Sequence, residues 1–113
     1  MKLYAPTEYW NLNPEAKQEI CNACGPKKWG WLVPNRMWGL DISEACNIHD
    51  YMYHVGRTEE ARIEADRVFL NNLLRIIEAA TGFNAAFLRM PRRRRALKYY
   101  EAVRTVGGPA FWN

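Results

Sequence analysis

Four side chains that could do chemistry together lie within residues 46–53, near the middle of the chain. If this stretch is helical, they stand at i, i+3, i+4 and i+7 and project from one face: Cys46, His49, Asp50 and Tyr53. That face would carry a thiol, an imidazole, a carboxylate and a phenol, and each of these groups needs a partner when it is buried. The stretch therefore predicts either a functional site or a satisfied core histidine beside a surface aspartate.

A second carboxylate, Asp66, lies on the apolar stripe of the next predicted helix, three residues before Phe69 and seven before Leu73. A carboxylate on such a stripe must find a partner or lose its charge. Only a short turn separates this helix from the one that carries His49, so we expect the two helices to pack antiparallel. His49 is then the candidate partner of Asp66, and the two could form a buried pair.

The elements that would position this pair are helices, and they predict an all-α domain. Two long antiparallel helices and a third, C-terminal helix are expected at these ranges: 43–55, 58–80 and 92–106. Asp41 or Ser43 can cap the first long helix. Gly56 would end it in a left-handed conformation, and Thr58 can cap the second.

Proline and glycine set the limits of the remaining elements. Asn13 and Pro14 predict the start of a short early helix. Pro91 is expected to open the last helix, after a brief helical piece at 83–90. The Gly-Gly-Pro sequence at 107–109 is expected to stop that helix, because neither residue type continues one well.

Two segments are rich in basic residues. Residues 24–40 are expected to form a loop in which basic and aromatic side chains alternate: Lys27, Lys28 and Arg36 among Trp29, Trp31 and Trp38. A loop this apolar either folds onto the core or is offered to a partner surface. Residues 92–95 are four consecutive arginines in a first turn, where positive charge opposes the helix dipole. This run is either a solvated charge cluster or a contact for a partner.

Composition limits the class of protein. The 113 residues are 49% hydrophobic and 25% charged, which suits a single domain, residues 1–113, with a real core. The net charge of +4 and the pI near 9.1 favour an anionic partner. We expect neither a signal peptide nor a transmembrane segment. Three cysteines is an odd number, so an internal disulfide would leave one thiol over.

Three stretches in the right order along residues 21–75 resemble the phospholipase A2 superfamily. Residues 46–53 match the Cys-x-x-His-Asp-x-x-Tyr signature of its catalytic helix. Residues 22–26 resemble its calcium loop, which is built on a Cys-Gly pair. Residues 65–69 resemble the Ala-Asp-x-x-Phe element of its compact prokaryotic and parvoviral-capsid members. One departure is that Lys27 and Lys28 stand where glycines normally follow in the calcium loop.

The resemblance implies a calcium-dependent hydrolase that cleaves a fatty-acyl ester of membrane phospholipids. His49 would be the general base that activates water, and Asp66 would orient it. Tyr53 would hydrogen-bond Asp66. Asp50 would bind Ca²⁺, which stabilises the oxyanion. The resemblance assigns the other metal ligands to loop carbonyls at three positions: Ala23, Gly25 and Lys27.

The same resemblance implies further features of the site and its surroundings. Cys24 and Cys46 match a disulfide that ties the calcium loop to the catalytic helix, which leaves Cys21 as the remaining thiol. Two more tyrosines are candidate partners of the catalytic aspartate: Tyr99 and Tyr100. The expected partner is a phospholipid membrane surface, anionic in view of the charge, and not a nucleic acid. The protein would act peripherally on membranes, in the cytoplasm or as part of a virion.

Two other interpretations use the same residues. Two pairs have the spacing of zinc ligands: Cys21 with Cys24, and Cys46 with His49. With the arginine run, Zn²⁺ at these positions would make a small nucleic-acid- or protein-binding module. That interpretation uses the third cysteine but leaves Asp50, Tyr53 and Asp66 unexplained. The third interpretation is a catalytically inactive interaction protein that keeps the scaffold.

Overall fold

The structure, a computed structural model, describes residues 2–21 and 33–112, with side chains as far as Thr105 in the last helix. This part of the chain is mostly helical, with one small two-stranded sheet, as expected for a small all-α domain. Its elements in chain order are α1 (Thr7–Trp10), α2 (Pro14–Ile20), β1 (Arg36–Met37), β2 (Leu40–Asp41), α3 (Ser43–Val55), α4 (Glu59–Ala79) and α5 (Ala85–Trp112).

Helices α3 and α4 form an antiparallel hairpin with a short connection. His49 packs against Phe69 in the middle of α4. Tyr53, one turn later on α3, interacts with Arg62, which lies earlier on α4. The contacts therefore run in opposite directions along the two helices. The Thr58 side chain accepts a backbone hydrogen bond of 3.0 Å from the first turn of α4, so this predicted cap is confirmed.

The ends of the hairpin helices agree with the sequence in position but not in every conformation. The N-cap of α3 is Ile42, which makes no side-chain cap bond, so the cap predicted at Asp41 or Ser43 is wrong. The Asp41 carboxylate instead accepts a 2.9 Å hydrogen bond from the backbone N–H of Ser43, the first residue of α3. Gly56 ends α3, but its φ of −72° and ψ of 148° are extended, so the left-handed conformation predicted for it is wrong. The chain passes from Gly56 almost directly into the cap of α4, and an extended residue suits that passage. Gly82, after α4, does have a positive φ of 109°.

The predicted boundaries of the last helix are wrong. Helix α5 is continuous from Ala85 to Trp112, so the brief piece at 83–90 and the helix at 92–106 are one element. Pro91 lies inside α5, where it cannot donate the usual hydrogen bond to the carbonyl of Phe87. Phe87 lies on the exposed side of the helix, where water can satisfy that carbonyl. The Gly-Gly-Pro sequence at 107–109 likewise does not end α5.

The predicted loop contains a small hairpin in its described part. Strands β1 and β2 pair antiparallel, with Met37 opposite Leu40. The two residues between them, Trp38 and Gly39, have positive φ values of 49° and 85°, as a tight two-residue hairpin turn requires. Arg92 of α5 donates to the Trp38 carbonyl from Nε at 3.2 Å and from Nη2 at 2.8 Å. This contact fixes the turn against α5.

The core lies between the hairpin and the inner face of α5. Each of its three helices contributes fully buried side chains: Ala45 and Ile48, Ala65, Phe69 and Leu73, and Ala96 and Val103. The N-terminal segment closes one side, because Tyr4 and Asn72 exchange hydrogen bonds of 2.8 and 2.9 Å. No helix in the described ranges combines the length and the apolar character needed to cross a membrane.

Candidate active site

The centre of the candidate site is the carboxylate of Asp66, which is fully buried and binds three side chains. His49 Nε2 lies 2.7 Å from Asp66 Oδ1. The Tyr53 hydroxyl donates to the same oxygen at 2.5 Å. Arg104 Nη1 donates to Oδ2 at 2.7 Å. Both carboxylate oxygens therefore have donors, and the hairpin and α5 meet at one charged group.

Two aromatic rings pack against the imidazole of His49, which also meets Asp66 at Nε2. The side chain is only 1% exposed. Its ring centroid lies 4.2 Å from that of Tyr53 and 4.9 Å from that of Phe69. These contacts hold the imidazole beside Asp66, with Nε2 as the nitrogen that meets the carboxylate. A carboxylate on one nitrogen fixes which nitrogen can act as a base.

Electrostatics favour the ionised form of Asp66. Burial raises the pKa of this carboxyl, but the hydrogen bond and positive charge available from His49 lower it. The hydrogen bonds from Tyr53 and Arg104 lower it further, and the net pKa lies below the usual value of 3.8. Burial, together with the bond to Asp66, raises the pKa of the Tyr53 phenol far above its usual range. Tyr53 is therefore a neutral donor, and the negative charge remains on Asp66.

Arg104 is a site residue that the sequence analysis missed, because the tyrosines of α5 were expected in its place. The described hydrogen bonds of Asp66 go to His49, Tyr53 and Arg104, and not to Tyr99 or Tyr100. Tyr99 is instead buried in the core, and Tyr100 is half-buried. Charge was the signal that could have indicated this residue. A buried carboxylate needs a cation as its partner, and Arg104 directly follows Val103, which was predicted to face inward.

A second arginine holds the first in place. Arg62, on α4, donates from Nη2 to the backbone carbonyl of Arg104 at 2.8 Å. Its Nη1 pairs with Glu59 at 3.0 Å, and that interaction raises the pKa of the guanidinium despite the opposing effect of burial. Arg62 thus fixes the backbone of α5 at the point from which Arg104 reaches Asp66.

The predicted metal-binding side of the site is described only in part. Asp50 follows His49 on α3 and is 1% exposed. Cys46, one turn earlier on the same side of α3, is disulfide-bonded. Four residues that the resemblance placed here lie outside the described ranges: Ala23, Cys24, Gly25 and Lys27. A carboxylate oxygen is the ligand type that Ca²⁺ prefers, so the donor chemistry of Asp50 fits the assigned role.

The described members of the zinc set have other contacts. Cys46 is in a disulfide, and a disulfide sulfur is not a thiolate ligand. The Cys21 thiol is not in a disulfide and lies 3.3 Å from the carbonyl of Asn47. Nε2 of His49 is bound to Asp66. Within residues 2–21 and 33–105, no three His, Cys, Asp or Glu side chains cluster as a metal site would require.

The structure thus brings the three predicted catalytic residues together: His49, Asp66 and Tyr53. Asp50, the carboxylate predicted to bind the metal, directly follows His49 in the sequence. No family model, no curated protein and no solved structure matched this chain. Function is therefore inferred from the geometry of the site together with the sequence motifs.

Proposed function

We propose that this protein is a calcium-dependent, phospholipase A2-like hydrolase that cleaves a fatty-acyl ester of membrane phospholipids. The observation that carries the proposal is the buried His49–Asp66 pair, 2.7 Å apart and completed by Tyr53 at 2.5 Å. A structural histidine does not require an ionised, three-fold hydrogen-bonded carboxylate in the core, because burying that charge is costly. A general base does require such a partner, since its tautomer must be fixed.

In the proposed reaction His49 takes a proton from water through Nδ1 while the water oxygen attacks the ester carbonyl carbon. The negative charge of Asp66 stabilises the imidazolium that forms. As the tetrahedral intermediate collapses, the bond to the glycerol oxygen breaks, and His49 returns the proton to that oxygen. The products are a fatty acid and a lysophospholipid. A neutral imidazole suits this role near pH 7, and general base catalysis is typically worth about 10²–10⁴ in rate.

The developing oxyanion needs positive charge close to it. Bound Ca²⁺ would supply that charge by coordinating the carbonyl oxygen. Among the described residues, Asp50 is the side chain we assign to hold the ion, with the remaining ligands assigned by resemblance to the carbonyls of Ala23, Gly25 and Lys27. The role of Asp50 is therefore to bind and place positive charge next to His49.

Membrane phospholipids exist as aggregates, so the enzyme must dock on a lipid surface before a molecule enters the site. The net charge of +4 favours an anionic surface. Under this proposal the protein acts at the periphery of a membrane. The zinc-stabilised module is disfavoured by the disulfide at Cys46, which removes one of its four proposed ligands.

The proposal is tested by product analysis on the purified full-length chain. Incubation with a short-chain phospholipid below its micelle concentration, with Ca²⁺, should release a fatty acid and a lysophospholipid, and a calcium chelator should abolish the release. Asp50→Asn should weaken calcium binding in calorimetry and lower activity, whereas Glu60→Gln, an exposed carboxylate on α4, should change neither. Absence of ester cleavage at any calcium concentration would leave the inactive scaffold as the better interpretation.

A further inference from the structure

The outer face of α5 carries an apolar surface that the core does not use. Phe87, Met90 and Leu97 are 83%, 55% and 50% exposed, and Phe83, just before the helix, is fully exposed. At 3.6 residues per turn these helical positions lie on one side of α5. The buried positions lie on the other: Arg92, Ala96, Tyr99 and Val103. A group of exposed apolar side chains often marks a contact surface, whereas single exposed apolar side chains are common on any protein.

The same outer face is strongly cationic. Arg94, Arg95 and Lys98 line a groove of about 240 Å³ together with Pro91 and Trp38 of the β-hairpin turn. None of the three cations forms an ion pair with a described residue. The sequence has no acidic residue between Glu78 and Glu101. The groove therefore concentrates positive charge, with no acidic counter-ion among the residues that the structure describes.

The other two residues of the arginine run, Arg92 and Arg93, do not line the groove but hold neighbouring segments against α5. Arg92 is buried, and its two hydrogen bonds to the Trp38 carbonyl hold the turn against α5, with the Trp38 ring half-exposed beside the groove. Arg93 pairs with Glu78 at 2.5 Å, which ties α5 to the end of α4. Neither interpretation of the run, a solvated charge cluster or a contact for a partner, therefore applies to Arg92.

We propose that this face of α5, together with Trp38, is the surface that docks on anionic phospholipid, with lipid phosphates in the groove. Cations that meet headgroups, beside aromatic and aliphatic side chains that enter the boundary region, characterise helices that lie in a membrane interface. The proposal depends on the proposed function only for its choice of lipid as the partner. It does not depend on catalysis.

Charge and apolarity together select the lipid over other occupants. A second copy of this chain would set three cations against three more, which opposes self-association through this face. A nucleic acid would satisfy the cations but would leave Phe83 and Phe87 exposed at its highly polar surface, because such interfaces are dominated by phosphate contacts. An anionic lipid surface satisfies both kinds of side chain at once.

The test is co-sedimentation of the full chain with phosphatidylglycerol-containing vesicles and with purely zwitterionic vesicles. The charge-reversal variant Arg94→Glu/Lys98→Glu should bind the anionic vesicles at least about 30-fold more weakly. Phe87→Ser/Met90→Ser should weaken binding about tenfold, with little effect on stability, because both side chains are already exposed. The matched control Arg67→Glu/Arg75→Glu makes the same charge change at exposed positions of α4 and should bind much more tightly than Arg94→Glu/Lys98→Glu.

Two further measurements separate this proposal from the proposed function. Hydrolysis of a monomeric short-chain phospholipid should be unchanged in Arg94→Glu/Lys98→Glu, and vesicle binding should be unchanged in His49→Gln. Loss of hydrolysis with intact, α5-dependent binding would refute only the catalytic proposal. Equal vesicle binding by the wild type and both α5 variants would overturn the docking surface. Tighter binding to DNA or RNA than to anionic vesicles at the same salt concentration, or dimerisation lost in the α5 variants, would also overturn it.

Discussion

The arginines of α5 serve in two opposite ways. Arg104, in the C-terminal part of the helix, reaches inward and ends 2.7 Å from a buried carboxylate, and its own side chain is 29% exposed. On the outer face, Arg94 and Arg95 line a groove that contains no acid among its described residues. The inner arginine completes an internal network, so its loss should damage folding and catalysis. The outer arginines form no ion pair with a described residue, so under the docking proposal their loss should weaken vesicle binding alone.

On the inner side, the largest decrease in the free energy of unfolding is expected from Asp66→Asn. The neutral amide cannot stabilise the imidazolium of His49, and it leaves Arg104 without its partner. We expect activity on monomeric phospholipid to fall by about 10²-fold or more, but by less than in His49→Gln, because the base remains. The free energy of unfolding should fall by about 3 kcal/mol in urea titrations. Glu64→Gln, an exposed carboxylate on the same helix, should stay within about 0.5 kcal/mol of the wild type.

Arg104→Met sharpens the comparison because it changes only α5. Removing the cation should lower the free energy of unfolding by about 1–2 kcal/mol, less than a fully buried pair would lose, since the arginine is partly solvated. The pKa of Asp66 should rise toward its usual value, so the loss of stability in acid should be shallower than in the wild type. Binding to anionic vesicles should fall by no more than the loss of one charge explains. A vesicle-binding defect equal to that of Arg94→Glu/Lys98→Glu would break the distinction between the two faces.

The smallest change within the network is Tyr53→Phe. It removes one hydrogen bond to Asp66 Oδ1 and leaves the ring against His49. We expect a loss of about 1 kcal/mol in the free energy of unfolding and a decrease in activity of less than about tenfold. A rate loss as large as that of His49→Gln would mean that the phenol, and not the imidazole, handles the proton.

The pH dependence of stability follows from the same carboxylate. The pKa of Asp66 is lower in the folded protein than its usual value of 3.8, so the folded state binds its proton more weakly than the unfolded state does. The stabilisation is therefore fully present above the unfolded pKa and is lost as pH falls through the folded pKa. Urea unfolding between about pH 6 and pH 2 should show a shallower acid decline in Asp66→Asn than in the wild type. Parallel declines in the two proteins would contradict the charge state assigned to Asp66.

The hairpin site could be predicted because local rules determine it. Helical periodicity puts His49 and Tyr53 on one face, and a short connection forces the next helix to return alongside it. The partner on that returning helix was then the one carboxylate on an apolar stripe, Asp66. These inferences need only residues that are close in sequence.

The features of α5 could not be predicted because they depend on packing between distant segments. Arg104 is 38 residues from Asp66, and no local rule sets the rotation of α5 against the hairpin. Arg92 is buried because the Trp38 turn, 54 residues earlier, offers it a carbonyl. Pro91 was taken as a boundary, but it is tolerated inside the helix because its missing hydrogen bond falls on the exposed side.

The central claim is that His49 is the general base of an ester hydrolase. The most direct measurement compares His49→Gln with His54→Gln, a second histidine that lies exposed on the same helix. Both variants should give the circular dichroism spectrum of the wild type. With Ca²⁺ and a monomeric short-chain phospholipid, His49→Gln should lower kcat/KM by about 10³-fold, while His54→Gln should retain wild-type activity. Wild-type hydrolysis by His49→Gln, or equal losses in the two variants, would contradict the assignment.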